Sequence, residues 1–398
     1  MDHNDDFFKR NNLAPETKSQ CLDFIKTLRD PASSESQSSD IEEHRSQGYC
    51  SYTLQQLSHP PLIIQFRPAS HRLNLDITSH AHALFPCIAP VTKFLGVLPD
   101  SQLHVYSHTT LPGKPLLCSS SSSLALSPFS RHNLIKSLAR VFTTTYKNNN
   151  NNNNNSSPQP NKPQKGKIGS SLLPRLQTLH THLPKRFKPT VKKAIGALDS
   201  VENGSSLPWV LTHGDLVPSN ILIDPETGEI TGLIDWAEGE YLPFGMGFVG
   251  LEEILGYRIP VTVTDDDDDD DDDGKHKGVV AKKINYPAGG TRFRYVDRAE
   301  ELRTLFWDEM CSAVPEMNHQ ETREKVEISR VIGGLLWHGF AFDNGALDRV
   351  VAEGRDDQEI QMLDMFLFGK DTLDREGDSQ NAQDTAEESE EDEAKDWT

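Results

Sequence analysis

The sequence predicts an α+β protein of two lobes, a small β-rich lobe followed by a larger helical lobe. Residues 47–113 contain short apolar segments with strand character. Most of the apolar segments after residue 113 have helical spacing instead. The chain of 398 residues exceeds a single typical domain, and its 35% hydrophobic content is enough for a sizeable core. We therefore expect two lobes that join near residue 113.

The first 113 residues contain the predicted elements of the small lobe. Residues 1–46 are predicted to form a helix, over residues 16–30, and a flexible segment. The lobe itself, residues 47–113, has four predicted strands, GYCSYTLQQL, PLIIQFRP, TKFLGVLP and QLHVYSH. A helix, NLDITSHAHALF, follows the second of these strands.

The larger lobe, residues 114–370, is predicted to be mostly helical and to carry three low-complexity inserts. These inserts, 119–123, 148–167 and 264–278, are expected to be loops, and residues 371–398 to be a disordered acidic tail. The most apolar stretch, VIGGLLWHGFAF at residues 331–342, is predicted to be a core helix. It is too short for a membrane span, which needs about 20 residues, so we expect no membrane association.

The formal net charge of −20 is concentrated in two segments. The nine aspartates of Asp265 to Asp273 and a net charge of −10 in residues 371–398 leave the remainder nearly neutral. Acidic runs of this kind are usually solvated, so the total charge describes no pocket, and we expect no nucleic-acid partner.

The cysteines and the N-terminus bear on the compartment. The five cysteines are scattered, odd in number and without CxxC spacing, which is typical of a reducing compartment and indicates no zinc site. The N-terminal MDHNDDFFKRNN has no apolar core of a secretory signal. We expect a cytoplasmic protein, and the sequence does not indicate its oligomeric state.

Two stretches place polar residues beside buried strands. LTHGDLVPSNILID (211–224) and ITGLIDWAEGEYLPFG (230–245) are joined by PETGE, which predicts an antiparallel hairpin. If Asp224 pairs with Ile230, Asn220 lies opposite Ile234 and next to Asp235. Asn220 and Asp235 then lie at the same end of the hairpin, because neighbouring strands are about 4.8 Å apart.

This arrangement suits phosphoryl transfer. A carboxylate and an amide oxygen are suitable ligands for Mg²⁺, which is commonly held by few protein oxygens together with substrate phosphates. Asp215, five residues before Asn220, would lie close to the metal and accept a proton from a substrate hydroxyl. Asp and Asn are also ordinary turn residues, and DxxxxN recurs by chance. HGD, the spacing, the hairpin and the final Asp in this order favour the functional interpretation.

The motifs HGDLVPSN and IDW resemble those of the aminoglycoside phosphotransferase and choline kinase-like family. The resemblance implies the protein-kinase-like fold over most of residues 47–368, with LPG at the hinge. It also implies ATP and Mg²⁺ as cofactors and a small-molecule acceptor as partner. By this likeness Asp215 is the catalytic base, Asn220 and Asp235 are the metal ligands, and His213 steadies the loop.

The first lobe departs from the family pattern. Kinases use a Lys on the third strand, paired with a helix Glu, to hold phosphates. LIIQFRP offers Gln65 and Arg67 instead, and the following helix offers only Asp76. Alternation places Arg67 on the cleft face, where it would contact phosphate, although a structural role is equally compatible with the pattern. Glu238 and Glu240 are candidates for binding a cationic substrate, but a solvated face is the favoured interpretation.

Two functions from different classes follow from these observations. The first is an ATP- and Mg²⁺-dependent phosphotransferase that acts on a hydroxyl of a small molecule. The alternative is a catalytically inactive kinase-like binding or scaffold protein. The sequence does not identify the acceptor, because specificity in such folds depends on variable loops and helices.

Overall fold

The structure is a computed structural model, and it describes residues 7–27, 41–44, 47–57, 60–117, 126–154, 165–202, 207–260, 291–343 and 345–369. The predicted inserts 119–123 and 264–278, the aspartate run and the acidic tail lie outside these residues. The described part confirms the α+β class, with a β-sheet in the first lobe and a mostly helical second lobe. The exact domain boundaries stay predictions.

The first lobe is one five-stranded antiparallel sheet in the order β1-β2-β3-β5-β4. Helix α3 lies between β3 and β4 in the chain and begins at Asn74, whose side chain accepts hydrogen bonds from the amides of Asp76 and Ile77. The elements of this region are α1 (Phe7–Arg10), α2 (Thr17–Thr27), β1 (Ile41–Glu43), β2 (Tyr52–Gln56), β3 (Leu62–Arg67), α3 (Leu75–Leu84), β4 (Thr92–Val97) and β5 (His104–Thr109).

Strand β3 alternates as its sequence predicts. Ile64 and Phe66 are buried in the core of the first lobe, and Leu62 packs against it. Phe7 and Ile25, from α1 and α2, belong to the same core. The opposite face of β3 carries Ile63, Gln65 and Arg67, so the cleft side of the strand ends in a cation.

The second lobe contains most of the helices and three small two-stranded sheets, apart from the site hairpin. Its largest core continues from α3 to α10. Its elements are β6 (Lys114–Pro115), α4 (Pro128–Asn154), α5 (Leu172–His182), α6 (Lys188–Glu202), β7 (Trp209–Thr212), β8 (Ile221–Ile223), β9 (Ile230–Leu233), β10 (Glu240–Pro243), α7 (Val249–Ile254), β11 (Gly256–Pro260), β12 (Thr291–Tyr295), α8 (Ala299–Ala313), α9 (Gln320–His338), β13 (Phe340–Asp343), β14 (Ala346–Val350) and α10 (Asp357–Phe368).

The connection between the lobes docks on the hairpin β8–β9. Strand β6 pairs with β8, and the Thr231 hydroxyl donates to the Pro112 carbonyl at 2.7 Å. Gly113 has φ +103°, and a Cβ there would lie 2.1 Å from the Thr231 hydroxyl oxygen. Only glycine fits this close approach, so the LPG segment fixes the first lobe against the strands that carry the site.

Several elements differ from the sequence prediction. Helix α4 continues to Asn154, where a loop was expected, because each added residue of a formed helix gains a backbone hydrogen bond. The predicted helix through residue 342 ends at His338, because Gly339 caps it and Phe340 to Asp343 form a strand. None of the helices in the described ranges has the length and apolar character that crossing a lipid bilayer requires.

Candidate active site

The predicted hairpin forms, with one change of register. Ile221 pairs with Leu233, and the Ile234 amide donates to the Asn220 carbonyl at 3.0 Å, so Asn220 lies opposite Ile234 as predicted. Near the turn a β-bulge shifts the pairing, and Ile223, not Asp224, pairs with Ile230. Asp224 is instead in the turn, where its carboxylate accepts from the amides of Glu226 and Thr227. The prediction is therefore right at the functional end and wrong at the turn.

His213 ties the loop after β7 to strand β9. Its Nε2 donates to the Ile234 carbonyl at 2.8 Å, and its Nδ1 accepts from the Asp215 amide at 3.3 Å. These partners require a neutral ring with its proton on Nε2. Burial accordingly lowers the pKa of His213 to about 4. The contacts fit the role of steadying the loop.

Asp215 and Asn220 are in direct contact. The Asn220 Nδ2 donates to the backbone carbonyl and to the carboxylate Oδ2 of Asp215, each at 2.9 Å. Burial, together with the negative charge of Asp235, raises the pKa of Asp215 to about 6. A half-buried carboxylate held at a fixed angle is suited to accept a proton.

Gly214 allows a second segment to lie against this loop. It has φ +80°, and a Cβ at this position would lie 2.0 Å from the Glu238 carbonyl oxygen. The short turn Trp236–Glu238, which follows Asp235, therefore packs directly on the backbone next to Asp215. The glycine of HGD is required by this close approach as well as by its conformation.

Asp235 has a left-handed backbone conformation, with φ 62° and ψ 66°. Such strain in a residue other than glycine is concentrated at functional sites. Trp236 braces it, because its ring packs against His213 at 4.6 Å between centroids and its Nε1 donates to the Leu233 carbonyl at 2.9 Å. The Asp235 side chain itself stays 42% exposed, so its carboxylate can bind a ligand.

The residues predicted to hold Mg²⁺ fit that ion. The Asn220 Nδ2 is occupied by Asp215, which leaves Oδ1 as the atom available to a cation, and Asp235 offers an accessible carboxylate. In the ranges that the structure describes, no group of three or more His, Cys, Asp or Glu residues is arranged to hold a metal. A site of one carboxylate and one amide oxygen is compatible with this finding, since Mg²⁺ keeps waters and phosphates as further ligands.

Arg67 is buried, with a relative exposure of 3%, and reaches the same cluster. Its Nε donates to the His71 carbonyl at 2.9 Å, and its NH1 donates to the Gln65 Oε1 at 2.8 Å. NH1 also lies 3.8 Å from the Asp235 Oδ1. The third strand therefore does aim its cation into the cleft, toward the predicted metal ligand.

The two glutamates after Asp235 differ in exposure. Glu238 is exposed, as the favoured interpretation expected, whereas Glu240 is not on a solvated face, which corrects that interpretation. Glu240 is buried, and its two carboxylate oxygens accept from the Ile168 and Gly169 amides at 3.0 and 2.8 Å. Glu238 is close to the carboxylates of Asp235 and Asp215. Partial desolvation and then the negative charges of these two residues raise the pKa of Glu238. The turn at residues 166–169 covers Glu240. Because this turn is distant from Glu240 in the sequence, the sequence alone did not predict the burial of Glu240.

A cavity of about 740 Å³ opens beside the catalytic loop. Its lining includes His213, Gly214, Trp236 and Glu238 from the second lobe and Arg67 and His71 from the first. Its size suits a small-molecule ligand. None of its lining residues was selected from the sequence as an acceptor contact except Glu238 and Glu240, because the walls come from separate helices and loops.

The sequence of residues 152–246 matches the model of the phosphotransferase enzyme family. The match covers less than half of the chain but contains Asp215, Asn220 and Asp235. It confirms, over these residues, the resemblance drawn from the two motifs. A search among curated proteins gives no match to this chain.

Solved structures with a similar fold are antibiotic phosphotransferases. The GDP complex of aminoglycoside 2'-phosphotransferase-IIIa is 12% identical, with a TM-score of 0.48 over 82% of this chain and 91% of its own. A macrolide 2'-phosphotransferase from Brachybacterium faecium is 11% identical, with a TM-score of 0.44 over 81% and 91%. An aminoglycoside phosphotransferase from Streptomyces rimosus is 11% identical, with a TM-score of 0.42 over 79% and 98%. Because these scores are below 0.5, the function has to be argued from the site.

Proposed function

We propose that this chain is an ATP- and Mg²⁺-dependent phosphotransferase that acts on a hydroxyl of a small molecule. The observation that carries the proposal is the contact of Asn220 with Asp215, because it joins the candidate base to a candidate metal ligand. The Ile234 amide, bonded to the Asn220 carbonyl, brings the neighbouring Asp235 to the same end of the hairpin. The match of residues 152–246 to the phosphotransferase enzyme family supports the same function.

Asp215 acts as the base in this proposal. Its carboxylate is held by the Asn220 amide and by the loop that His213 ties to β9. It accepts the proton of the acceptor hydroxyl as the oxygen attacks the terminal phosphate. The bond between that phosphorus and the bridging oxygen breaks, and ADP leaves. Because the base is already held in position, no further entropy is lost in orienting it during the reaction, which is part of the advantage of a preorganised site.

Asn220 and Asp235 would hold Mg²⁺, through the Asn220 Oδ1 and the Asp235 carboxylate. When bound, the ion neutralises negative charge on the phosphates of the nucleotide. Arg67 supplies a second positive charge at this point. Its NH2 has no hydrogen-bond partner among the described residues, so we propose that this atom contacts a phosphate oxygen.

One observation favours the alternative, a binding protein without turnover. Arg67 takes the place of the lysine of kinases, and its Nε and NH1 already bond to His71 and Gln65. Two of the three nitrogens of the guanidinium are thus already bonded inside the first lobe. Asp76 at the start of α3, which stands where kinases have the helix Glu, is exposed. A protein of this kind would bind the nucleotide and leave it intact.

Turnover and binding measured on the same protein separate the two functions. ATP and GTP, each with Mg²⁺ or with EDTA, are offered to the full chain, and nucleoside diphosphate release is followed beside calorimetric binding. The proposed function requires release that depends on Mg²⁺ and is lost in Asp215→Asn. Binding of nucleotide without any release, with every acceptor offered, would favour the alternative.

A further inference from the structure

The cavity beside the catalytic loop has mostly apolar walls. Residues of both lobes line it, among them Arg67 and His71 of the first lobe and Gly214 and Glu238 of the second. Half of its described lining residues are aliphatic or aromatic, and apolar atoms make up most of the lining surface. The largest of them are Phe85, Phe142, Trp236, Phe244, Trp337 and Phe342. An apolar molecule would gain about 25 cal/mol for each Å² of surface that it buries against such walls.

The charges on the walls are not those of a site for polycations. The acidic residues among the described lining are Glu238 and Glu240. Each carboxylate oxygen of Glu240 already accepts a backbone amide, from Ile168 and from Gly169. The remaining carboxylate, Glu238, faces a lining that also contains the cations Arg67 and Arg72 and the ion-paired Lys167. Apart from the catalytic carboxylates, one acidic group is therefore left for a positively charged ligand.

The balance of acidic and basic residues in the lining favours an apolar alcohol over a polyamine as the acceptor. Each ammonium group that enters a cavity without a carboxylate partner loses its hydration, and the penalty is several kcal/mol per ion. A polyamine would bring several such groups to one available carboxylate. A molecule with an apolar body would instead bury its surface against the aromatic walls and leave the polar end of the cavity for its hydroxyl.

We propose that the acceptor is a bulky alcohol with a predominantly apolar body and at most one cationic group, an inference that rests on the proposed phosphotransferase function. The hydroxyl lies beside Gly214, which lines the cavity, packs against Glu238 and directly precedes Asp215 in the chain. Glu238 accepts a hydrogen bond from the acceptor, or pairs with its single cation. The apolar body extends along Trp236 toward Trp337 and Phe342.

Phe342 is the wall residue best suited to a test. It lies on β13, lines the cavity and is 54% exposed, so its removal costs little core packing. Its ring also packs edge to face on Tyr49 of the first lobe, at 5.5 Å between centroids. Phe129 offers a matched control, because it is 68% exposed and does not line the cavity.

Binding is measured by calorimetry on the full chain without nucleotide, so that the result does not depend on turnover. The probes are 17β-oestradiol, a neutral polycyclic alcohol; erythromycin, a macrocycle with one tertiary amine; and kanamycin, a polycationic amino sugar. We expect at least one of the first two to bind more tightly than kanamycin, and its binding to quench the fluorescence of Trp236 and Trp337. Phe342→Ala should weaken that binding about tenfold, and Phe129→Ala should leave it unchanged.

Tighter binding of kanamycin, or no binding of either apolar alcohol, would overturn the inference. So would an equal loss in Phe342→Ala and Phe129→Ala. A failure of the proposed function looks different, because apolar alcohols would then bind while no nucleoside diphosphate is released with any acceptor. Arg72→Glu adds a check on charge: it should increase kanamycin affinity without changing that of the neutral alcohol.

Discussion

Asn220 donates from one amide nitrogen, at 2.9 Å in each case, to both the backbone carbonyl and the carboxylate of Asp215. The double contact fixes which way the amide points, so its oxygen is left for another ligand. The base and the amide ligand are thereby positioned by one side chain. We therefore expect substitutions at either residue to affect both catalysis and metal dependence.

The metal assignment predicts different losses at Asp235 and Asn220. Asp235→Asn should abolish most of the gain in nucleotide affinity that Mg²⁺ provides, because the carboxylate carries the charge. Asparagine also tolerates the left-handed conformation at this position, so the fold should be retained. Asn220→Ala should weaken the Mg²⁺ dependence without removing it. Calorimetry of ATP binding with Mg²⁺ and with EDTA measures both effects, and wild-type affinity that is equal in the two conditions would refute the site.

Arg67 is predicted to bind phosphate through its NH2, for which the described residues offer no hydrogen-bond partner. A charge-assisted contact contributes about 1.5–3 kcal/mol, so Arg67→Met should weaken ATP binding about ten- to a hundredfold. Lys93→Met is the control, because Lys93 is exposed on β4 of the same lobe, does not line the cavity and should not affect ATP affinity. If Arg67→Met binds ATP normally and melts much earlier than the wild type, the contacts with His71 and Gln65 are the whole role of Arg67.

Glu240 is predicted to stabilise the fold and to take no direct part in the chemistry. Glu240→Ala leaves the buried amides of Ile168 and Gly169 without an acceptor, at about 1–3 kcal/mol for each unsatisfied group. Glu240→Gln keeps one acceptor oxygen, so this variant should lose less stability than Glu240→Ala. Thermal melting without nucleotide ranks the three proteins, and an unchanged Tm in Glu240→Ala would contradict the prediction.

His338 is predicted to make stability depend on pH. It is buried, and burial, with Arg258 adding to the effect, lowers the pKa of its ring to about 3. The unfolded ring has a pKa of about 6.5. The unfolded state therefore binds more protons between these values, and the stabilisation present above pH 6.5 is lost as pH falls.

At pH 5 this loss amounts to about 2 kcal/mol relative to neutral pH. His338→Leu should melt with a smaller fall in Tm between pH 7.5 and pH 5 than the wild type. Comparing the change in Tm with pH in the two proteins removes the contribution of every other group that titrates equally in both. Identical changes in Tm would show that the pKa of His338 does not differ between the folded and the unfolded state.

Local pattern was sufficient to predict the hairpin geometry that brings the candidate site residues together. The order His213, Asp215, Asn220, hairpin, Asp235 depends on strand geometry within one short segment, and the structure has that geometry at its functional end. The alternation that placed Arg67 on the cleft face depends on period two and on one apolar face. Both inferences concern neighbours in sequence.

What the sequence did not reveal depends on contacts between distant segments. Glu240 is buried because the turn at residues 166–169 surrounds it, and no pattern near Glu240 indicates that turn. The register shift near Ile223 is a β-bulge, which a simple count of paired residues does not include. Helix α4 passes through the asparagine run because the preceding helix propagates into it, although asparagine itself disfavours helices.

The most direct test of the central claim compares the wild type with Asp215→Asn. Both proteins are given ATP and Mg²⁺, with and without an acceptor alcohol, and ADP release is measured beside ATP affinity. The asparagine can still accept the Asn220 hydrogen bond, so the fold and ATP affinity should be retained. We expect the variant to release ADP about 10² to 10⁴ times more slowly, the usual contribution of a positioned general base. Equal rates of Mg²⁺-dependent ADP release in the two proteins would contradict the assignment of Asp215.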